Sequence, residues 1–158
     1  MYNPVQNHMR NRNVQIGNIC SQFAHLELLL AQAIWSALGL TEEAGLSVTG
    51  SLNVEARARL AVELCEKQGK PKQVVDELRR VRKELQASKV IERRNRAIHG
   101  HRFPNPDDPA SEFVVVHRGK DAGVKLKRTD AELAQIGKDI ADLHQPLFAV
   151  MADVGMTY

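Results

Sequence analysis

Residues 13 to 38 read NVQIGNICSQFAHLELLLAQAIWSAL, a stretch with strong helical periodicity in a chain of 158 residues. Trp35 and the apolar run at 28–30 widen its apolar stripe, and Gly39 is placed to end a helix. The pattern predicts a long central helix over residues 13 to 38. Its apolar residues recur at the three- and four-residue spacing of one helix face, and they are Ile16, Ile19, Cys20, Phe23, Leu26, Leu30, Ile34 and Leu38.

Two further helices follow along the chain. VEARARLAVELCEKQ, residues 54 to 68, repeats the three- and four-residue apolar spacing, and Asn53 before it is a favourable N-cap residue. The same spacing predicts a third helix over residues 72 to 98, which Gly100 is placed to end.

A β-hairpin is predicted near the C-terminal end of the chain. Residues 102 to 110, RFPNPDDPA, contain three prolines and are typical of a loop. The segments EFVVVHR (112–118) and VKLKR (124–128) resemble short strands, and GKDAG (119–123) between them has turn composition.

The final helix is predicted over residues 130 to 151, and Pro146 inside it predicts a kink or an early end. The fold class is therefore mainly α: an antiparallel bundle of four main helices, with the small β-hairpin between the last two. The length fits one domain. We expect residues 1 to 12, which are polar, to be loosely ordered, and residues 13 to 152 to form a single helical domain.

Composition narrows the class of protein. Hydrophobic residues make up 43% and charged residues 26%, as is usual for a globular protein. Cys20 and Cys65 each stand among apolar neighbours, which predicts two reduced, buried thiols. The N-terminal residues lack the apolar segment of a secretory signal, and the apolar run LLLAQAIW (28–35) is too short to cross a bilayer. We expect a cytoplasmic protein that does not bind membranes.

Positive charge is concentrated in one segment. The net charge of the chain is +3, yet Leu78 to Arg96 contain eight basic and two acidic residues, a net charge of +6. Such asymmetry is typical of a surface that binds a polyanion. The alternative is a solvated helix face.

The end of the third helix changes character when it is projected as one continuous helix. The apolar stripe around Leu85 runs on into Glu92, Arg96 and His99, with Asn95 at its edge. Such groups are costly to bury without partners. They must therefore pair with each other, meet another chain or line a cleft. On the opposite side lie apolar residues with Arg94 among them, namely Ala87, Val90, Ile91 and Ile98.

The segment ERRNRAIHGH, residues 92 to 101, resembles the signature of HEPN (higher eukaryotes and prokaryotes nucleotide-binding) domains. That signature is an arginine, often followed by a polar residue such as asparagine, and a histidine after four to six intervening residues. Arg94, Asn95 and His99 match it with four residues between, and Arg93 matches it with five. The resemblance is strong over residues 92 to 101 and diffuse over residues 13 to 150.

The resemblance implies a metal-independent endoribonuclease without cofactors. In such enzymes the ribose 2′-hydroxyl attacks the adjacent phosphorus and leaves a 2′,3′-cyclic phosphate. His99 would act as general base or acid. Arg94 would stabilise the charge on the phosphorane, and Asn95 would orient His99 or the phosphate.

The resemblance also implies partners. Two copies of the motif face each other across a homodimer interface and form one cleft for RNA or a nucleotide. Arg93 and Arg96 would bind the flanking RNA phosphates, and Glu92 and His101 would support the site. Many HEPN-like proteins are instead non-catalytic modules that bind RNA, nucleotides or proteins, including members of toxin–antitoxin pairs with a cognate antitoxin protein.

Several arrangements of these residues remain open at this point. Arg94 and His99 lie about 140° apart on an ideal helix. Either the last turn unwinds, or Arg94 of one subunit meets His99 of the other; within one chain, Arg96 is the better partner for His99. Glu92, Asn95, Arg96 and His99 could instead form a purely structural polar cluster. A metal site is a weaker alternative, and its candidate ligands are His99, His101 and His117.

Overall fold

The chain is mainly α-helical in a computed structural model that describes residues 4–108, 111–115 and 125–157. Its described residues also form a small antiparallel sheet with the strand order β1-β2-β3. The mainly α fold class predicted from the sequence is confirmed. In chain order the elements are α1 (Pro4–Leu38), α2 (Glu42–Thr49), α3 (Val54–Lys67), α4 (Lys72–Ala87), α5 (Val90–His99), β1 (His101–Pro104), β2 (Ser111–Val115), β3 (Lys125–Thr129) and α6 (Asp130–Asp153).

The backbone separates into two compact units. Unit 1 comprises Met1–Ser21 and Lys89–Ile140, and unit 2 comprises Gln22–Ser88 and Ala141–Tyr158. The helices α1 and α6 contribute residues to both units. The single domain expected over residues 13 to 152 stays a prediction.

The core of unit 2 is built on the second half of α1, as its apolar stripe predicts. Leu26, Leu30 and Ile34 are fully buried there. The helices α3 and α4 pack against each other. Other buried side chains of unit 2 come from α3, α4 and α6, and they are Ala58, Ala61, Cys65, Val74, Leu78, Val81, Leu147 and Met151.

Trp35 fixes the position of α2. Its indole Nε1 donates a hydrogen bond to Thr49 Oγ1 at 3.1 Å, and that hydroxyl donates to the Gly45 carbonyl at 2.9 Å. A Cβ atom at Gly45 would lie 2.5 Å from three atoms of the Trp35 ring. A glycine is therefore needed where α2 lies against the indole.

Two predicted helix ends are confirmed. The amide of Ala56 donates to Asn53 Oδ1 at 2.8 Å, which makes Asn53 the N-cap of α3. Gly39 follows the last residue of α1 with φ +65°, a left-handed conformation that favours glycine.

The early end predicted at Pro146 is wrong, because α6 continues to Asp153, and the predicted kink stays a prediction. Proline has no amide hydrogen, so the carbonyl four residues before it, that of Asp142, loses its helical partner. Arg80 donates to this carbonyl at 3.3 Å and to that of Leu143 at 3.0 Å. The guanidinium of Arg80 thus replaces the missing donor.

The third predicted helix, residues 72 to 98, is in fact two helices. Ser88 donates from its backbone amide and from its hydroxyl to the Glu84 carbonyl, at 2.9 and 2.7 Å. Lys89 then adopts φ +51°, the left-handed region. The helix therefore stops at Ala87 and a new one begins at Val90, which is fully buried.

The loosely ordered segment expected over residues 1 to 12 is wrong for residues 4 to 12, which belong to α1. His8 is buried, and its Nδ1 lies 3.0 Å from Asp130 Oδ1. Arg12 Nη1 donates to Glu112 Oε2 at 3.0 Å. These long-range contacts hold a polar segment in place although its own composition favours no burial.

Both strands of the predicted hairpin are present within the described residues, with one strand more than expected, and the predicted strand residues 116–118 and 124 lie outside the described residues. The strands β2 and β3 pair antiparallel, and β1 pairs antiparallel with the other edge of β2. The predicted loop at 102–110 is therefore wrong over residues 102–104, where Pro104 ends an edge strand. The turn predicted at residues 119–123 lies outside the described residues.

Of the two cysteines, only Cys65 is buried as predicted, and burial raises the pKa of its thiol to about 11. Cys20 is exposed. It was assigned to the buried face because it follows Ile19 in the stripe, but α1 buries Ile19 and turns Cys20 outward.

Gly100 ends α5 as predicted. It does not do so by adopting a left-handed conformation, because its φ is −79° and its backbone is extended. A Cβ atom at this position would lie 2.2 Å from Val114 Cγ1 and 3.2 Å from the Arg96 carbonyl oxygen. Val114 is fully buried and its β-branched side chain has little rotational freedom. The chain needs a glycine here because the backbone passes directly over β2.

We predict that Gly100→Ala lowers the free energy of unfolding by about 1 to 3 kcal/mol, the usual cost of forcing extra atoms into a packed core. The matched control is Gly17→Ala, because a Cβ atom at Gly17 in α1 would meet nothing within 4 Å. That control is expected to stabilise the protein by about 0.5 to 1 kcal/mol, since alanine is the better helix former. Urea unfolding followed by circular dichroism measures both, and equal effects would contradict the prediction.

Candidate functional site

The helix α5 exposes one stripe of the HEPN-like motif. Glu92, Asn95 and His99, at spacings of three and four, are exposed, whereas Val90 and Ala97 are fully buried on the other side. The continuous projection that placed Glu92 and His99 on the core-facing seam is wrong. The left-handed residue Lys89 breaks the helical phase, so positions in α5 do not continue the stripe of α4.

Arg94 and Asn95 are joined directly. Arg94 Nη1 donates to Asn95 Oδ1 at 3.0 Å. Arg94 is half-buried, whereas Asn95 and His99 stand four residues apart on the exposed stripe. Asn95 therefore connects the guanidinium of Arg94 to the face that carries the accessible imidazole of His99.

Arg94 and His99 do not converge by unwinding of the helix. Residues Val90–His99 form one helix up to Gly100. Arg96, the alternative partner for His99, donates from Nη2 to Glu92 Oε1 at 2.7 Å. The meeting of Arg94 and His99 from two subunits stays a prediction.

Two other predicted site residues have distinct surroundings. Arg93 Nη1 donates to Asp139 Oδ2 on α6 at 2.6 Å, so a carboxylate balances its charge. His101 is exposed and opens β1, where it pairs in register with Val115. Both residues belong to the same unit as α5.

The basic segment Leu78–Arg96 is not one surface. It divides at Ser88 between the two units, and in unit 2 two of its arginines, Arg79 and Arg80, have carboxylate partners. Arg79 pairs with Glu66 at 2.8 Å, and Arg80 pairs with Glu77 at 2.6 Å. Unit 1 nevertheless has 13 Lys and Arg against 8 Asp and Glu, a net charge of +5.

A group of arginines that the sequence did not single out surrounds a buried carboxylate in unit 1. We call Arg12, Arg102 and Arg128 the arginine cluster. Glu112 on β2 is opposite Arg128 in the β2–β3 register. Arg102 pairs with Val114, two residues further along β2, so its side chain projects on the same face of the sheet as Glu112.

Glu112 is 1% exposed and accepts from Arg12 Nη1 at 3.0 Å. Arg102 Nε lies 3.8 Å from the other carboxylate oxygen. Burial lowers the pKa of Arg102 and that of Arg128, and the neighbouring arginines lower both further. The carboxylate of Glu112 raises the pKa of Arg102, and those of Glu132 and Glu112 raise the pKa of Arg128.

The sequence contained one signal for this cluster. Period-two alternation in β2 places Glu112 on the same face as the buried Val114, and a carboxylate on a buried face must have cationic partners. The identity of those partners could not be read locally. Arg12 fell in the segment expected to be loosely ordered, and Arg102 fell in the predicted loop.

The metal alternative gains no support from the described part of the chain. Within residues 4–108, 111–115 and 125–157, no group of three or more His, Cys, Asp or Glu side chains could hold a metal ion. His117, one of the three suggested ligands, lies outside these residues.

Within the same described residues, no single helix is long and apolar enough to cross a membrane. One helix pair, Gln6–Leu38 with Glu42–Thr49, has the length and composition of a membrane span, but it is bent by 115°.

Comparisons of the chain with protein-family models, curated proteins and solved structures return no match. The HEPN resemblance therefore depends on residues 92 to 101 and on the geometry of α5, and it stays a hypothesis.

We predict that Glu112→Gln lowers the free energy of unfolding by about 3 kcal/mol, because it leaves the buried end of Arg12 without its countercharge. The matched control is Glu92→Gln, which removes the partner of Arg96 on the exposed stripe and is expected to cost less than about 1 kcal/mol. Urea unfolding of both variants at pH 7 makes the comparison. Equal losses would show that Glu112 does not organise the cluster.

Proposed function

We propose that the protein binds RNA at the exposed stripe of α5 and cleaves it without a metal ion, as a HEPN-type endoribonuclease. One observation carries the proposal. His99 is accessible and shares its helix face with Asn95, to which Arg94 donates at 3.0 Å. A purely structural cluster would bury the imidazole and satisfy it internally. The exposure of His99 favours chemistry instead.

The reaction needs a proton acceptor, a proton donor and a stabiliser of negative charge. An imidazole removes the proton from the ribose 2′-hydroxyl, and the 2′-oxygen forms a bond to phosphorus while the bond to the 5′-oxygen breaks. A second imidazole protonates the leaving 5′-oxygen. The products are a 2′,3′-cyclic phosphate and a 5′-hydroxyl. The planar guanidinium of Arg94 binds the phosphorane oxygens, and Asn95 holds that guanidinium in place.

The proposal requires two copies of the chain. Arg94 and His99 diverge by about 140° around α5, so one copy cannot direct both groups at one phosphate. Two copies related by a two-fold axis supply two histidines and two arginines to a shared cleft. Arg93 and Arg96 would bind the flanking phosphates, and Glu92 and His101 would support the site. We also infer that the helices form an antiparallel bundle of four main helices and that the protein is cytoplasmic.

A non-catalytic HEPN-like module would use the same stripe to bind RNA, a nucleotide or a cognate antitoxin protein. The exposed side chains of such a module would bind its partner without proton transfer. RNA binding by the wild-type protein with no cleavage would favour this alternative.

We predict that His99→Ala lowers the rate of RNA cleavage in EDTA at least about 100-fold, the usual contribution of a general acid or base. The variant should stay within about 0.5 kcal/mol of the wild-type stability, because the side chain is exposed. The control is His25→Ala, which removes an exposed histidine from unit 2. Unchanged cleavage by His99→Ala would overturn the proposal.

A mixing experiment tests the two-copy site. We expect His99→Ala and Arg94→Gln to be inactive alone, and their mixture to recover part of the activity. A mixed dimer holds one intact Arg94 and one intact His99, which can serve as the base while water protonates the leaving 5′-oxygen in place of the second imidazole. The cleavage rate should rise with the fraction of mixed dimer. No recovery, with exchange of subunits shown by mass spectrometry, would exclude a site shared in this way.

A further inference from the structure

The charges of the arginine cluster are not balanced. Three guanidinium groups, from α1, β1 and β3, face one buried carboxylate, that of Glu112. Glu132 at the start of α6 also attracts Arg128, so two carboxylates stand against three guanidinium groups. An excess of positive charge therefore remains around Glu112.

The neighbouring arginines of α5 do not remove this excess. Arg93 and Arg96 lie close enough to lower the pKa of Arg128, and each is already paired with a carboxylate, Asp139 and Glu92 respectively. Among the described residues, the charged groups that act on Arg128 are thus the carboxylates of Glu112 and Glu132 and two arginines that each have a carboxylate partner.

The cluster also has unused hydrogen-bond donors. The closest described carboxylate oxygen to Arg102 Nε is 3.8 Å away, which is too far for a hydrogen bond. In the described part of the chain, the buried Nε of Arg128 has no hydrogen-bond partner. Half-buried guanidinium groups without acceptors are costly, and each offers five N–H donors.

The geometry suits an oxyanion with several oxygens. Glu112 lies beneath the cluster and is 1% exposed, whereas the side chains of Arg12 and Arg102 keep 19% and 12% of their surface exposed. The exposed surface of this group belongs to the arginine side chains and not to the carboxylate, so a ligand would approach from the arginine side. Three planar donors from three different elements match a tetrahedral phosphate better than a flat carboxylate, which has only two oxygens.

We propose that Arg12, Arg102 and Arg128 form a binding site for a phosphate group, carried by a nucleotide, by the end of an RNA strand or by free phosphate. Glu112 holds the three arginines in place and does not contact the ligand. The site does not rest on the proposed function, because phosphate binding there requires neither His99 nor cleavage. Absence of RNA cleavage would therefore not exclude the phosphate site, and absence of phosphate binding would not exclude RNA cleavage.

Titration of the wild-type protein with inorganic phosphate, followed by calorimetry at constant ionic strength, tests the proposal. We expect saturable binding that Arg128→Gln weakens at least about tenfold. Arg128→Lys should weaken it similarly, because lysine keeps the charge and loses the planar fork. The control is Arg59→Gln on the exposed side of α3 in unit 2, which should bind phosphate as the wild type does.

Competition identifies the source of the phosphate. Displacement of inorganic phosphate by AMP indicates a nucleotide site. Displacement by a 5′-phosphorylated oligonucleotide, but not by its 5′-hydroxyl form, indicates an RNA end. No displacement by either indicates free phosphate as the ligand, and each of these results supports the site. Absence of saturable binding to the folded wild-type protein, or wild-type affinity in folded Arg128→Gln and Arg102→Gln variants, overturns it.

Discussion

The arrangement of unit 1 depends on one buried carboxylate. Glu112 lies on the middle strand of the sheet, bonds Arg12 of α1 at 3.0 Å and lies opposite Arg128 of β3. A buried anion cannot stand alone, so the N-terminal turns of α1 and both edge strands must supply cations to it. Arg12 thereby connects the first turns of α1 to the sheet. Likewise, Arg102 of β1, a strand that extends into a proline-rich segment, reaches the same face of the sheet.

In unit 2, the second half of α1 and the helix α3 could be predicted from the sequence because their information is local. Apolar spacing, Asn53 and Gly39 each specify a face, a start or an end within a few residues. Predictions failed where a distant side chain decides the outcome. The helix α6 runs through Pro146, and Arg80, far away in the sequence, donates to the Asp142 carbonyl that the proline cannot bond.

In the candidate site, too, one part could be predicted from the sequence and another part could not. The identity of Arg94, Asn95 and His99 could be read from the motif, but their direction could not, because it depends on one left-handed residue. A projection over residues 72 to 98 assumes a single helical phase, and Lys89 with φ +51° breaks it. No propensity rule anticipates a lysine in that conformation. The phase change turns His99 outward. The imidazole is therefore accessible and does not belong to a buried polar cluster.

The contact between Trp35 and α2 has a practical consequence. The chain has a single tryptophan, and its indole is buried in unit 2, bonded to Thr49 and in contact with Gly45. Intrinsic tryptophan fluorescence is therefore a spectroscopic reporter of that unit alone. Any difference between its transition and the loss of total helical signal would reveal that the molecule melts in more than one step.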